Sequence, residues 1–309
     1  MSGFIDLQVN GYAGVDFNSD NLSTDEVVNV CRRLKADGTD GILATVITAR
    51  IDLMLTRISR LVELIEASVE IAECIRGIHV EGPFLNPAEG FIGAHPSSDA
   101  MPTDIGVTDQ LLDAGNGNIK MVTLAPEMDS DARVTRYLTD RGIVVAAGHS
   151  DASLNDLKRA IDHGLKLFTH LGNGCPGLLP RHDNIVQRVL AVSENLKISF
   201  IADGHHVPAF ALRNYLGIVP EENIVIVTDA ISAAGLGPGR YELSGQVVEV
   251  DEDGAAWAAC RTHYAGCAAT FQQMIEVLKG SVGVRDEQIR QWLITNPLHL
   301  LALDQADGQ

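Results

Sequence analysis

Two histidines each close a short apolar run, Gly148-His149-Ser150 after Val144–Ala147 and Thr169-His170-Leu171 after Leu167-Phe168. Between them Leu154, Leu157 and Ile161 recur at helical spacing, and Gly164 sits where a helix would stop. A strand–helix–strand unit with parallel strands sets both imidazoles side by side on one rim, which is a metal-ligand arrangement. Two carboxylates follow the same pattern: Glu81 ends His79-Val80-Glu81-Gly82-Pro83, and Asp229 ends Val227-Thr228-Asp229-Ala230. Either one alone could cap a helix. Several charged groups at one buried mouth need partners or a metal. One carboxylate and two neutral imidazoles leave an open position on a divalent cation, where a bound water has its pKa lowered to roughly 7. An aspartate outside the ligand set can take a proton and return it to a leaving amine. The chemistry expected is metal-assisted hydrolysis of an amide-like bond.

The elements that must carry these groups are legible as apolar runs at Phe4–Val9, 41–48, 75–80, 120–124, 143–147, 166–169, 198–202 and 223–228, with helical patterns between. Ser23-Thr24-Asp25-Glu26 is a capping box, and Val27, Val30, Cys31 and Leu34 form one apolar face. Met54, Ile58, Leu61 and Ile65 form another. Strands that alternate with helices predict an α/β fold, a closed (β/α)8 barrel over residues 1–309 as a single domain. A doubly wound open sheet is the rival, but no Gly-rich phosphate turn follows the first strand. Residues 239–266 are expected as a hairpin-like insertion after strand eight, with an Asp253-Gly254 turn, and 268–279 and 286–303 as helices. In a barrel the active site lies at the C-terminal ends of the strands, and alternation turns Gln8 and Asn10 to the same face.

Composition narrows the partners. A net charge of -18 argues against nucleic acid and anionic membrane, so a phosphorylated ligand would need a local cluster of donors. Five cysteines without a CxxC, no basic leader and no long apolar run lead to the expectation of reduced thiols in a cytoplasmic protein. No cysteine is marked as a nucleophile by a His partner.

At Gly3-Phe4-Ile5-Asp6 through Gln8-Val9-Asn10-Gly11, Gly77-Ile78-His79-Val80-Glu81-Gly82-Pro83, Gly93-Ala94-His95-Pro96, Gly148-His149-Ser150, Thr169-His170-Leu171 with Asn173, Ala202-Asp203-Gly204 with His206, and Val227-Thr228-Asp229-Ala230, the sequence resembles the N-acetylglucosamine-6-phosphate deacetylases of the amidohydrolase superfamily. The resemblance runs over nearly the whole chain. It implies Glu81, His149 and His170 as metal ligands, Asp229 as general acid/base, and His95 as the histidine that polarises the acetamide carbonyl. Asn173, Gly174 and His206 match sugar-phosphate contacts. Arg181 matches an arginine that reaches the phosphate of the neighbouring subunit in a homodimer. Gln8 and Asn10 stand where many amidohydrolases carry a His-x-His, which implies one divalent ion per chain, zinc first, with iron, manganese or cobalt as alternatives, the two amides supporting from behind. The expected substrate is N-acetylglucosamine 6-phosphate. The alternatives are a related amidohydrolase acting on another N-acyl compound and an inactive sugar-phosphate-binding protein. Three departures accompany the match: little sequence is available for the family's β-sandwich, Gly174 stands where alanine is usual, and Cys267 stands where serine is usual.

Overall fold

The computed structural model describes residues 3–302. Eight parallel strands follow one another around a single sheet in chain order: β1 Phe4–Val9, β2 Thr39–Ile47, β3 Ile75–Glu81, β4 Ile119–Leu124, β5 Val144–Ala147, β6 Leu165–Phe168, β7 Lys197–Ile201 and β8 Ile224–Val227. These are the eight runs expected from the sequence, shifted by a residue or two. Most residues of these strands are fully buried because helices cover the outer face and side chains fill the inner one. The expected capping box at Ser23 and Glu26 starts the helix Thr24–Ala36, and a second, Ser153 with Asp156, starts Leu154–Asp162. Both helices connect strands that are neighbours, as right-handed parallel crossovers require.

The β1–β8 seam has no strand ladder. It is closed by a bridge between Val9 and Ala230, by the Asn10 N–H donating to the Ala230 carbonyl at 2.7 Å, and by the Asp6 carboxylate. Asp6 accepts from the Thr228 hydroxyl at 2.5 Å and from the Thr228 N–H at 3.2 Å. Burial pushes this carboxyl up to about 7 against those hydrogen bonds. A polar side chain thus joins the first strand to the end of the last, at the residue immediately before Asp229.

The insertion contains the expected hairpin, Gln246–Val250 paired antiparallel with Ala256–Ala258, and adds one strand before it. It is a three-stranded antiparallel sheet: β9 Gly239–Leu243, β10 Gln246–Val250 and β11 Ala256–Ala258. The first strand, Gly-Arg-Tyr-Glu-Leu, is mostly exposed and carries no apolar alternation, which is why pattern reading passes over it. Its turn is Ser244-Gly245, with φ of 50° and 79°, the paired positive values of a two-residue hairpin turn. Leu243, Val248, Val250 and Ala256 pack with Ile47 and Ile231 into a small apolar cluster of their own beside the barrel mouth. The C-terminal helices are also more broken than expected. The first begins at Phe271, capped by Thr270 and Gln273, and runs on through a π turn over Leu278–Val282. The second consists of Asp286–Arg290 and Asn296–Leu301 with a π turn between, and Leu303 lies outside the described residues. Among the described residues no helix is long and apolar enough to cross a membrane.

Candidate active site

His149, His170 and Asp229 each stand two residues past the end of their strand, and all three have left-handed backbone, with φ of 51°, 33° and 52°. A non-glycine residue in this region costs of order 1–3 kcal/mol and persists where surrounding structure over-determines it. Here the turn at each strand end swings the side chain back over the barrel mouth. Glu81, the last residue of β3, is 2% exposed and meets them. One of its oxygens, Oε1, lies 2.9 Å from His170 Nε2 and 3.4 Å from His149 Nε2. The other, Oε2, lies 3.7 Å from His95 Nε2. His95 and His149 approach each other at 3.3 Å through their Nε2 atoms. Glu81, His95 and His149 therefore offer ligand atoms that all lie within 4.8 Å of one another, and His170 joins through Glu81.

This donor set fits a divalent cation. His149 Nδ1–H donates to the Phe91 carbonyl at 2.8 Å, which leaves the Nε2 lone pair facing Glu81, the tautomer a ligand needs. The His149 ring is also cradled by glycine. A Cβ at Gly174 would lie 2.8 Å from Nδ1, and one at Gly93 would lie 3.1 Å from Cε1. Gly174 has a φ of 60° as well, so glycine at this position follows from both backbone and space.

Charge is distributed by burial and neighbours. Burial would raise Glu81, but the surrounding imidazoles hold it well below the ordinary carboxylate range. Burial, with the neighbouring His149, pushes His95 down to about 3, so this imidazole is neutral near pH 7. Burial opposes a charge on His170, but the Glu81 contact outweighs it and raises its pKa. Asp229 is raised by burial and by Glu81, with His170 pulling the other way.

Gln8 and Asn10 do face inward, and both reach Asp229 Oδ1, at 3.2 Å and 2.7 Å. The Gln8 amide also donates to Glu81 Oε1 at 2.9 Å. Its orientation is set by the Thr169 hydroxyl, which donates to Gln8 Oε1 at 2.6 Å. One amide therefore ties the carboxylate of β3 to the carboxylate past β8. His79, two residues before Glu81, is fully buried and lies 2.7 Å from the Thr123 hydroxyl through Nε2, with burial pushing it down to about 4.

Around the carboxylates is a small cavity of about 40 Å³, lined by Asn10, Glu81, His95, His149, Asn173 and Asp229 and covered by Leu243 and Tyr264. It shares Gly93, Asn173 and Tyr264 with a larger cleft of about 890 Å³. That cleft adds Gly174, His206 and Trp257. Asn173, Gly174 and His206 are thus brought together with the carboxylates. Arg181 is not: it is exposed in the loop after Gly174 and lines neither cavity. Sequence reasoning missed Tyr264, Trp257 and Leu243, which reach the mouth only because the inserted sheet folds over it. It also missed the Phe91 carbonyl, for which no residue-type signal exists.

No family model matches the chain. Among curated relatives, N-acetylglucosamine-6-phosphate deacetylase of Bos taurus is 31% identical over 314 residues, covering 99% of this chain and 75% of the relative. N-acetylgalactosamine-6-phosphate deacetylase of Escherichia coli O157:H7 is 28% identical over 301 residues, covering 97% and 78%. The chain belongs to the N-acetylglucosamine-6-phosphate deacetylase family. Among solved structures, N-acetyl-D-glucosamine-6-phosphate deacetylase from Mycobacterium smegmatis superposes with a TM-score of 0.87 at 28% identity, covering 97% of this chain and 77% of that one. The barrel is therefore that of the N-acetylglucosamine-6-phosphate deacetylases, a class of metal-dependent amidohydrolases. Its candidate cation site is the cluster around Glu81.

Proposed function

We propose that the chain removes acetate from an N-acetylated amino-sugar phosphate, with N-acetylglucosamine 6-phosphate as the substrate and glucosamine 6-phosphate as the product. The observation that carries this reading is the convergence of Glu81, His149, His170 and Asp229, from four strands, around a small cavity that adjoins a cleft large enough for a sugar. Residues 1–309 act in this reading as one hydrolase unit, with the insertion at 239–266 covering the mouth. Glu81, His149 and His170 hold one divalent ion per chain, with zinc the first expectation, and His95 stands beside them. When bound, such a cation supplies Lewis-acid polarisation and an acidified water.

The protein's own groups do the rest. Neutral His95 polarises the acetyl carbonyl and stabilises charge that develops on its oxygen. Asp229, held by the amides of Gln8 and Asn10, accepts a proton from the attacking water and passes it to the departing amine at the sugar nitrogen. Asn173, the Gly174 backbone and His206 contact the sugar phosphate. Acetate release from N-acetylglucosamine 6-phosphate by purified protein of defined metal content tests the proposal. A panel that includes N-acetylgalactosamine 6-phosphate and N-acyl amino acids separates it from a related specificity. An inactive binding protein would release no acetate from any of them.

Phosphate recognition needs a cation from elsewhere. Among the described residues lining the cleft there is no Arg or Lys, and Glu89 adds a negative charge. The guanidinium fork of Arg181 of the partner subunit in a homodimer supplies that charge in our reading. Losing one charge-assisted contact costs about 1.5–3 kcal/mol, more than roughly tenfold in affinity. Arg181→Ala is therefore expected to raise KM for N-acetylglucosamine 6-phosphate by more than roughly tenfold and to change KM for the unphosphorylated sugar little. Equal losses on both sugars would assign Arg181 to the loop instead.

The same reading predicts a homodimer by solution scattering. Full phosphate-dependent activity in a monomer at high dilution would exclude an arginine supplied in trans.

A further inference from the structure

We propose that Asp203, His206 and Cys267 form a second cation site, for a thiophilic divalent ion such as zinc or cadmium, whose occupation inhibits the enzyme. Each of the three offers one ligand atom, and these atoms lie within 4.8 Å of one another. The proposal rests on the assignment of His206 to the substrate cleft only for the inhibition, since the binding site stands on its own geometry.

Asp203 Oδ2 is the centre of the group. It lies 2.7 Å from His206 Nδ1 and 3.4 Å from Cys267 Sγ. Metal bonds of about 2.0–2.1 Å to oxygen and nitrogen and about 2.3 Å to sulfur set neighbouring ligand atoms roughly 3.3–3.6 Å apart in a tetrahedron. The sulfur–oxygen separation already has that value, and the nitrogen–oxygen pair has to open by roughly half an ångström. The frame is rigid. Asp203 Oδ1 accepts the N–H groups of His205 and His206 at 2.9 Å and 3.0 Å, which leaves Oδ2 to face the imidazole and the thiol. The Cys267 backbone is tied to the catalytic strand end, its N–H donating to the Asp229 carbonyl at 3.0 Å. The Asp203 and His206 side chains are each 3% exposed, and Cys267 is 1% exposed.

The opposite side of the His206 ring is free of hydrogen bonds. His206 Nε2 is buried and has no hydrogen-bond partner. With Nδ1–H directed at Asp203, that outer nitrogen is a bare acceptor. When Nδ1 binds a cation, its proton moves to Nε2 and the thiol proton leaves to solvent. One proton is released in all and nothing is oxidised or reduced. A neutral imidazole, a thiolate and a carboxylate form a donor set suited to zinc and cadmium. His206 lines the substrate cleft, so a cation that fixes its ring through Nδ1 changes substrate binding without touching Glu81.

Cadmium titration of the enzyme already loaded with its catalytic metal tests the site. Bound cadmium per chain is measured together with the ultraviolet thiolate-to-cadmium charge-transfer band, which the Glu81 cluster cannot produce because it contains no sulfur. Wild type is expected to take up one cadmium ion more than Cys267→Ser, with a band that the variant lacks. Asp203→Asn, which keeps the thiol, is expected to bind roughly tenfold or more weakly. Inhibition by added zinc should need a roughly tenfold or higher concentration in Cys267→Ser than in wild type. The same band and stoichiometry in wild type, Cys267→Ser and Cys267→Ala would assign the signal to another cysteine and overturn the site. No uptake by wild type beyond its catalytic ion would leave the three residues as a hydrogen-bonded group and overturn it equally. Cadmium uptake without zinc inhibition would retain the site and overturn its inhibitory role.

Discussion

Asp229→Asn is expected to lower turnover by roughly 10²–10⁴, the usual worth of a general acid/base, while metal content and fold persist. Asparagine keeps the shape and the oxygen that accepts from Asn10 and Gln8, so the hydrogen bonds at 2.7 Å and 3.2 Å remain. What it removes is the site that takes up a proton. The left-handed backbone at this position, φ 52°, is one that asparagine tolerates better than most residues, so little structural loss should accompany the change. The pH profile supplies an independent readout. Burial raises the pKa of Asp229, with Glu81 adding to it and His170 opposing. Below that pKa the carboxyl already carries its proton and cannot accept another, so the wild-type rate should rise with pH along a limb above the ordinary carboxylate range. That limb should vanish in the asparagine variant. A variant with near-normal turnover would move the acid/base role to another group, with His95 the next candidate.

His149→Ala and His170→Ala are expected to abolish both metal retention and acetate release. Each removes an imidazole that faces one Glu81 oxygen, at 3.4 Å and 2.9 Å. The remaining donors are too few for a tightly held cation, and Glu81 is left buried with fewer partners, a costly state for a carboxylate. Elemental analysis after gel filtration should give about one ion per wild-type chain and almost none for either variant. A count near two in wild type before any metal is added would contradict the single-ion reading, because the amides of Gln8 and Asn10 are poor ligands. A second ion that disappears in Cys267→Ser would belong to the proposed Cys267 site and would leave that reading intact. Retention of metal and activity by His149→Ala would shift the ligand set toward His95, whose Nε2 lies 3.7 Å from Glu81 Oε2.

The residues proposed to carry the chemistry are legible because each sits at the end of an apolar run. Period, length and stop signals are local properties, so Glu81, His149, His170 and Asp229 could be assigned to one mouth before any coordinate was known. Alternation along β1 likewise set Gln8 and Asn10 on the same inner face. The eight-strand count is of the same kind, since each strand is a buried run between helical patterns. The family motif at Gly93-Ala94-His95 brought in His95, which the strand pattern alone would not have marked, and the motif at Ala202-Asp203-Gly204 gave a role to His206, already placed just past the seventh run.

Other features depend on contacts between residues far apart in the chain. The left-handed turns at residues 149, 170 and 229 are carried by His and Asp, which adopt this backbone more often than most residues but announce it far less strongly than glycine. The Thr169–Gln8–Glu81 relay joins β1, β3 and the end of β6, and its geometry exists only once the barrel closes. The Phe91 carbonyl that selects the His149 tautomer is a backbone atom in a loop, and every residue has one. Gly174 was visible as a departure from alanine, but its reason, a Cβ 2.8 Å from the His149 ring, is a tertiary contact. The inserted sheet illustrates the same limit. Its first strand is polar and exposed, so no periodicity reports it, yet Leu243 and Tyr264 become walls of the site. The sequence by itself determined which side chains were available and which strand end each occupied, because those follow from local pattern. Tertiary structure alone decided which atoms face one another at hydrogen-bond distance, because that depends on closing the barrel and folding the insertion across its mouth.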